Sequence, residues 1–126
     1  MPATPVSRTI LIVEDDQETL EFYQLLLQIA GYTVRTAWSG RQARALVAAR
    51  AVDGVLLDYR LPDTIGLELC QELRATLGPD VPILLVTGDR EPLLETWVYA
   101  AGATAFLGKP FDPDVLLTLL AAYVPL

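Results

Sequence analysis

The chain contains no histidine and only one cysteine among its 126 residues. The absence of histidine excludes catalytic triads that use an imidazole, metal sites with histidine ligands and a phosphohistidine on this chain. If the chemistry needs an imidazole, a partner must supply it. The single cysteine, Cys70, allows no internal disulfide, and its leucine neighbours suggest a core position. We therefore expect a cytoplasmic protein.

Positive charge and long apolar runs are also scarce. Nine lysines and arginines stand against sixteen acidic residues, which gives a net charge of −7. Because nucleic-acid affinity depends on basic residues that neutralise phosphates, we expect no direct contact with nucleic acid. No apolar run approaches the length of a membrane span and no secretory signal precedes the first predicted strand, so we expect no membrane association.

What the chain does contain is a regular alternation of apolar strands and helices. The strands are predicted at 9–13, 32–36, 52–58, 81–89 and 103–108, and the helices at 16–30, 39–48, 65–78, 91–101 and 111–124. This alternation favours a doubly wound α/β fold, in which a parallel sheet is covered by helices on both faces. We expect one domain over residues 9–126, with residues 1–8 as a loose lead-in.

Acidic side chains stand at the ends of two apolar strands. Glu14 and Asp15 follow the first strand, and Asp58 ends the third. In the common strand order for five units, 2-1-3-4-5, these strands are neighbours, and sites form beyond their carboxyl ends. Two carboxylates about 4 Å apart repel by roughly 4 kcal/mol at an effective dielectric near 20. A cation is therefore expected among them.

Two cations can meet this need. Lys109 follows the fifth strand at the same edge of the sheet, and a divalent ion is the other. Carboxylates, a backbone carbonyl and water suit Mg²⁺ or Mn²⁺. Thr87 ends the fourth strand and adds a hydroxyl. Together these groups suggest phosphoryl chemistry, with Asp58 as a possible nucleophile.

Four motifs in this order and spacing resemble the receiver domain of two-component response regulators, the CheY-like domains. They are ILIVEDD, VLLDYRLPD followed by GLEL, ILLVTGD and AFLGKPF. The resemblance runs from about Thr9 to Val124. It implies a flavodoxin-like (βα)5 three-layer sandwich with sheet order 2-1-3-4-5. It also implies a phosphoacceptor, not an enzyme, that takes its phosphoryl group from a histidine kinase or a His-phosphotransfer protein and catalyses at most its own phosphorylation and dephosphorylation.

The resemblance assigns roles to the acidic residues. Asp58 is the phosphorylated aspartate, and Glu14, Asp15, Asp58 and the backbone carbonyl of Arg60 are the metal ligands. A simpler interpretation of Glu14 and Asp15 is an acid cluster that the dipole of the first helix favours. That interpretation does not explain Asp58 on another strand, so we expect all three acids in one site.

The resemblance also assigns residues after the fourth and fifth strands. Thr87 is the switch hydroxyl, Lys109 is the phosphate-binding lysine, and the Lys109–Pro110 peptide bond is expected to be cis. Phe106 is at the aromatic switch position, although an aromatic residue in a last strand is equally compatible with a core role. Alone, Lys109 would be read as a surface lysine and Thr87 as a turn residue.

The fourth and fifth helices are unusually apolar, so we expect a partner face on the surface of the fourth helix, fifth strand and fifth helix. Its candidate residues are Leu94, Trp97, Val98 and Tyr123, and its occupant would be a second copy of the chain or an output partner. The alternative is an apolar surface without a function, or one that another part of a longer protein covers.

Two other functions are open at this point. A phosphohydrolase that uses an aspartate nucleophile usually has a second acid two residues later, but Asp58 is followed by Tyr59 and Arg60. The other is a degenerate interaction module that needs no phosphorylation. Arg60 and Asp89 follow two residues after Asp58 and Thr87, so they flank the pocket, and we expect them to tune dephosphorylation. Ile65 stands at a loop position where many members of the family have aspartate.

Overall fold

Five strands alternate with five helices along residues 7–126, which are the residues that the computed structural model describes. The strands are β1 (Thr9–Val13), β2 (Thr33–Ala37), β3 (Gly54–Asp58), β4 (Ile83–Thr87) and β5 (Ala105–Gly108). The helices are α1 (Gln17–Ile29), α2 (Gly40–Ala49), α3 (Gly66–Leu77), α4 (Leu94–Ala100) and α5 (Pro113–Tyr123). Most of the expected lead-in, residues 1–6, lies outside the described residues.

All five strands are parallel and lie in the order β2-β1-β3-β4-β5. This confirms the doubly wound α/β fold. Because the strands are parallel, their carboxyl ends lie along one edge of the sheet, and the order reverses between β1 and β3. Ligand sites in such sheets form at this point.

Alternate residues of the central strands pack into two core layers, one on each face of the sheet. The layer beneath α2, α3 and α4 contains Leu11, Val13, Val55, Leu57, Ile83 and Leu85. The layer beneath α1 and α5 contains Ile10, Ile12, Leu56, Leu84 and Val86. Burial on both faces explains why these strands are almost wholly apolar. Cys70 of α3 is fully buried in the first layer, as predicted.

The start of α4 differs from the prediction. The chain between 89 and 93 forms hydrogen-bonded turns, in which the Asp89 carboxylate accepts the Glu91 N–H and the Glu91 carbonyl accepts the Leu94 N–H. The helix therefore begins at Leu94 and has only seven residues.

Two members of the expected partner face are wrong. Leu94 and Val98 are 1% and 0% exposed, because a helix this short uses its one apolar i, i+4 pair to pack on the sheet. Trp97 and Tyr123 are 44% and 43% exposed, so both stay available for a partner.

None of the helices formed by residues 7–126 has the length and apolar character needed to cross a bilayer.

Candidate functional site

The carboxyl ends of four strands bring polar side chains to one crevice. Glu14 directly follows β1, and its N–H donates to the Ala37 carbonyl at the end of β2 over 2.9 Å. Asp58 is the last residue of β3 and Thr87 is the last residue of β4. Lys109 follows β5, and its N–H donates to the Thr87 carbonyl over 2.7 Å. These hydrogen bonds and the pairing of β3, β4 and β5 thus fix the backbone positions of all four residues.

Three carboxylates form a cluster at the switch point. One oxygen from each of Glu14, Asp15 and Asp58 lies within 4.8 Å of the others. Glu14 is buried, Asp58 is half-buried and Asp15 is exposed. The cluster therefore opens to solvent on the side of Asp15, which leaves a path for a small cation.

Lys109 supplies the positive charge of this cluster. Its Nζ donates to Asp58 Oδ1 over 2.8 Å and lies 3.8 Å from Glu14 Oε1. Burial by itself lowers the pKa of Lys109, but the hydrogen bond and charge of Asp58 and the charge of Glu14 outweigh it and raise that pKa above its ordinary value of 10.5. The ammonium therefore stays charged and partly offsets the carboxylates.

One carboxylate oxygen of the cluster is not satisfied by Lys109. Oε2 of Glu14 is buried and has no hydrogen-bond partner among residues 7–126. Burial, with the charge of Asp58 next in size, raises the pKa of Glu14 to about 8. A buried carboxylate oxygen without a donor is costly, and a cation would satisfy it. Three carboxylates without nitrogen or sulfur are a donor set for a hard divalent ion such as Mg²⁺.

The crevice beside the acids has a volume of about 510 Å³. Its lining residues are Asp58, Arg60, Thr87, Gly88, Asp89, Arg90 and Lys109. Thr87 is 3% exposed, and its hydroxyl oxygen accepts the N–H of Asp89 at 2.9 Å. The hydroxyl proton is left to donate into the crevice.

The remaining predicted residues lie around this centre. The Lys109–Pro110 peptide bond is cis. Phe106 of β5 does not line the crevice; it is half-buried and packs on the core layer beneath α4. The side chain of Arg60 extends to the surface and pairs with Asp89 over 2.6 Å. The sequence had indicated both Arg60 and Asp89 as neighbours of the pocket, but not that they pair, because they are 29 residues apart.

A second apolar surface was missed by the sequence analysis. Phe22, Leu25 and Ile29 of α1 are 49%, 58% and 77% exposed. Their i, i+3, i+7 spacing sets them on one face of the helix, apart from the buried Leu20 and Tyr23. Counting both apolar stripes of α1, rather than the core stripe alone, would have found this surface.

The fold and the crevice together define an α/β domain that carries an acidic, lysine-containing site at its topological switch point. The sequence model of the response regulator receiver domain matches residues 10–121. The chain therefore belongs to the family of receiver domains of two-component response regulators, and a phosphoacceptor role fits this family.

Curated relatives agree with this assignment. The phosphate regulon transcriptional regulatory protein PhoB of Pseudomonas aeruginosa is 37% identical over 118 residues, which cover 93% of this chain and 52% of PhoB. The response regulator MprA of Mycolicibacterium vanbaalenii is 39% identical over 113 residues, which cover 90% of this chain and 48% of MprA. The chain thus spans about half the length of these relatives.

Solved structures are similar over nearly the whole chain. The chemotaxis protein CheY4 of Vibrio cholerae has a TM-score of 0.87 and 31% identity, covering 94% of this chain and 100% of CheY4. The receiver domain of the sensor histidine kinase PA1611 of Pseudomonas aeruginosa has a TM-score of 0.84 and 29% identity, covering 94% and 98%. That domain holds a magnesium ion in its active site cleft.

Proposed function

We propose that Asp58 accepts a phosphoryl group from a phosphohistidine on a histidine kinase or a His-phosphotransfer protein. The observation that carries the proposal is the hydrogen bond from Lys109 to Asp58 beside the buried Glu14. This arrangement gives one carboxylate both an ammonium and an acidic metal cluster. Since the chain has no histidine, the donor imidazole has to come from a partner.

Glu14, Asp15, Asp58 and the backbone carbonyl of Arg60 would hold the metal ion, which we propose is Mg²⁺ or Mn²⁺. When bound, it neutralises negative charge on the oxygens of a transferring phosphoryl group. The unpartnered Oε2 of Glu14 and the all-oxygen donor set support this ion. The magnesium ion in the similar PA1611 receiver domain supports it further.

In the transfer, a carboxylate oxygen of Asp58 forms a bond to phosphorus. The bond between phosphorus and the donor imidazole nitrogen breaks, and its electron pair stays on the imidazole. Lys109 would move its hydrogen bond from the carboxylate to a phosphoryl oxygen, and the Thr87 hydroxyl would donate to another. A transient rearrangement of two side chains is enough, because both already face the crevice.

The signal would leave the site through Thr87 and β5. Phosphorylation adds roughly two negative charges, which draw the Thr87 hydroxyl inward and shift the balance between two conformations. Phe106, on the neighbouring strand, would repack beside Thr87. The exposed side chains of Trp97 and Tyr123 would then change position on the surface that a second copy of the chain or an output partner contacts.

The proposed function also includes the localisation of the domain, its contact with nucleic acid and the reactions that it catalyses. We propose that the domain acts in the cytoplasm and makes no direct contact with nucleic acid, in agreement with its net charge of −7. We also propose that it catalyses only its own phosphorylation and dephosphorylation. A phosphohydrolase of this type would use a second acid two residues after Asp58, and this chain has Arg60 at that position.

Intact-mass measurement after incubation with Mg²⁺ and acetyl phosphate tests the function. We expect a single phosphoryl adduct that is labile to base and is absent from Asp58→Asn. Asp80→Asn, which changes an exposed aspartate outside the crevice, should retain the adduct. Turnover of phosphomonoesters would favour the phosphohydrolase instead, and the absence of both adduct and metal binding would favour the interaction module.

A further inference from the structure

One stretch of this acidic chain carries only positive charge. Residues 22–52 contain four arginines and no acidic side chain, whereas the other residues contain five basic and sixteen acidic side chains. The stretch covers most of α1, the edge strand β2 and the whole of α2. Its arginines lie on β2, on α2 and directly after α2, at positions 35, 41, 44 and 50. The β2–α2 unit is therefore the basic part of an acidic molecule.

The fold itself leaves most of this charge unpaired. Of the four arginines, only Arg44 forms ion pairs with side chains of residues 7–126, and its closer partner is Glu72 at 2.9 Å. Arg41 is exposed, and Arg35 donates one N–H to a backbone carbonyl over 3.1 Å. Residues 1–6 contain no acid, so carboxylates for the unpaired guanidinium groups have to come from outside residues 1–126.

An open backbone edge lies beside these charges. β2 is the first strand of the sheet and pairs only with β1. Thr33 donates its N–H toward β1, to the Arg8 carbonyl over 2.9 Å. Since successive residues of a parallel strand direct their N–H and C=O groups to opposite sides, those of Val34 and Thr36 point to the open edge. Such an edge is a template for another strand.

A groove of about 340 Å³ lies between this edge and α2. Its lining residues are Thr36, Trp38, Gln42, Ala45 and Leu46, none of which is charged. Trp38 is 58% exposed, and its N–H donates to Oε1 of Gln42 over 2.9 Å, which fixes its backbone against α2. A tryptophan in this position offers a large apolar surface to a partner.

Basic residues adjoin both walls of the groove. Arg35 directly precedes Thr36 on the β2 wall, and Arg41 directly precedes Gln42 on the α2 wall. A segment that carries carboxylates on either side of an apolar side chain matches this arrangement of charge. A second copy of the chain that paired through the same edge would place basic residues against basic residues, which is unfavourable.

We propose that the open edge of β2 and the Trp38 groove form a docking surface for an extended acidic segment of a partner protein, which adds to the five-stranded sheet as a further strand. Backbone hydrogen bonds to Val34 and Thr36 supply affinity, and Trp38 with the nearby arginines selects apolar and acidic side chains. The groove shares no lining residue with the crevice of Asp58, so this inference does not rest on the proposed function.

Two labelled peptides test the charge of the partner. The probe is a fluorescein-labelled eight-residue peptide that alternates glutamate with valine, and its counterpart alternates lysine with valine. Fluorescence anisotropy measures the Kd of each peptide for the full chain. We expect the glutamate peptide to bind more tightly by about tenfold or more, and its binding to weaken as the salt concentration rises.

Variants of the surface test the residues. Arg35→Gln and Arg41→Gln each remove one charge and keep a polar side chain, so each should raise the Kd of the glutamate peptide about two- to five-fold. Trp38→Ala removes the aromatic anchor and should raise it about tenfold or more. Arg90→Ala is the matched control, because it removes an exposed arginine beside the Asp58 crevice, and it should change the Kd by less than about two-fold.

A methylated peptide tests strand addition. The glutamate peptide with every internal amide N-methylated has no backbone N–H groups to donate to an edge, so its affinity should fall about tenfold or more. In amide NMR spectra of the full chain, the unmethylated peptide should shift the backbone signals of Val34 and Thr36 and the indole signal of Trp38. The signals around Asp58 should stay in place.

Several results would overturn the docking surface. Equal affinity for the two charges, equal affinity for the methylated and unmethylated peptides, or no binding of the glutamate peptide at millimolar concentration would each exclude a strand-like acidic partner. An equal change of Kd in Arg41→Gln and Arg90→Ala would show attraction by net charge alone. Dimerisation of the unbound chain in light scattering, abolished by Trp38→Ala, would assign the surface to a second copy. Tighter binding of a DNA duplex, lost in Arg35→Gln, would assign it to phosphates.

Discussion

Lys109 Nζ lies 2.8 Å from Asp58 Oδ1, and this pair joins the end of β5 to the end of β3 across the intervening β4. Lys109 is the only lysine of the chain, so the whole side-chain ammonium content of the molecule is at this site. Its charge partly balances Glu14 and Asp58, and it competes with any metal ion for the same oxygens.

Because Lys109 is the only lysine, its rate of amine acylation can be measured without a contribution from other lysine side chains. Its raised pKa leaves less free amine at a given pH, so amine acylation near pH 8 should be slow even though the side chain is 31% exposed. In Asp58→Asn the main cause of the raised pKa is lost, and acylation should be several-fold faster. Peptide mass mapping of timed acetylation measures this. Equal rates in both proteins would show that Asp58 does not hold the ammonium in solution.

Much of the fold follows from the sequence because its signals are local. Gly31, Gly78 and Gly102 close the predicted helices, and each has a positive φ, of 106°, 85° and 107°. Apolar runs marked the buried strands, and parallel topology then brought their acidic ends together. These features depend on residue type and spacing alone.

Other features depended on tertiary contacts that spacing does not encode. The burial of Leu94 and Val98 depends on which face of a short helix meets the sheet. The Arg60–Asp89 pair depends on two loops that the fold brings together. A flexible side chain in a loop has several possible partners within reach, so the sequence position alone does not predict which of them it pairs with.

The acidic cluster predicts a stabilisation by metal that depends on Asp15. Mg²⁺ that binds only the folded state raises the free energy of unfolding. Asp15→Asn removes one of the mutually repelling charges, so it should raise metal-free stability by up to about 1 kcal/mol and remove most of the Mg²⁺ effect. Thermal unfolding in EDTA and in Mg²⁺ checks both, with Asp80→Asn as the control. An undiminished Mg²⁺ shift in Asp15→Asn would contradict the assignment of this ligand.

The first turn of α3 offers a stabilising substitution. Its N-cap residue, Ile65, has the extended backbone of a capping residue, with φ −105° and ψ 154°, but no side-chain capping bond. Ile65→Asp would place an acceptor near the free N–H groups and a negative charge at the positive end of the helix. Since Ile65 is 41% exposed, some apolar contact is lost, and we expect a net gain of about 0.5–1 kcal/mol.

Urea unfolding measures this gain. Ile65→Ala separates the stabilisation by the new cap from the loss of the apolar contact. The alanine variant loses the same apolar contact without adding a cap, so it should be neutral or less stable than the unmodified chain. If Ile65→Asp were no more stable than Ile65→Ala, the first turn of α3 would already have its N–H groups satisfied by water.

Arg74 holds three parts of the fold together. From α3, its guanidinium donates to the Gly102 carbonyl in the turn before β5 at 2.7 and 3.0 Å, to the Gly78 carbonyl at 2.8 Å and to the Val81 carbonyl at 2.6 Å. Arg74→Met keeps the apolar stem but leaves these carbonyls without their donor. We expect a loss of roughly 2–4 kcal/mol in the free energy of unfolding, measured with urea.

A second variant tests the same contact from its other side. Gly102 has a φ of +107°, and a Cβ built on it would lie 2.9 Å from Cγ of Arg74. Gly102→Ala therefore combines backbone strain with displacement of the guanidinium, and should cost more than about 1 kcal/mol. The two losses should not add, because both break one contact. Arg41→Met, at an exposed arginine of α2, should stay within about 0.5 kcal/mol of the unmodified chain. A fully additive double variant would mean that Arg74 stabilises the fold through Gly78 and Val81 alone, and that the turn before β5 is held by its own backbone.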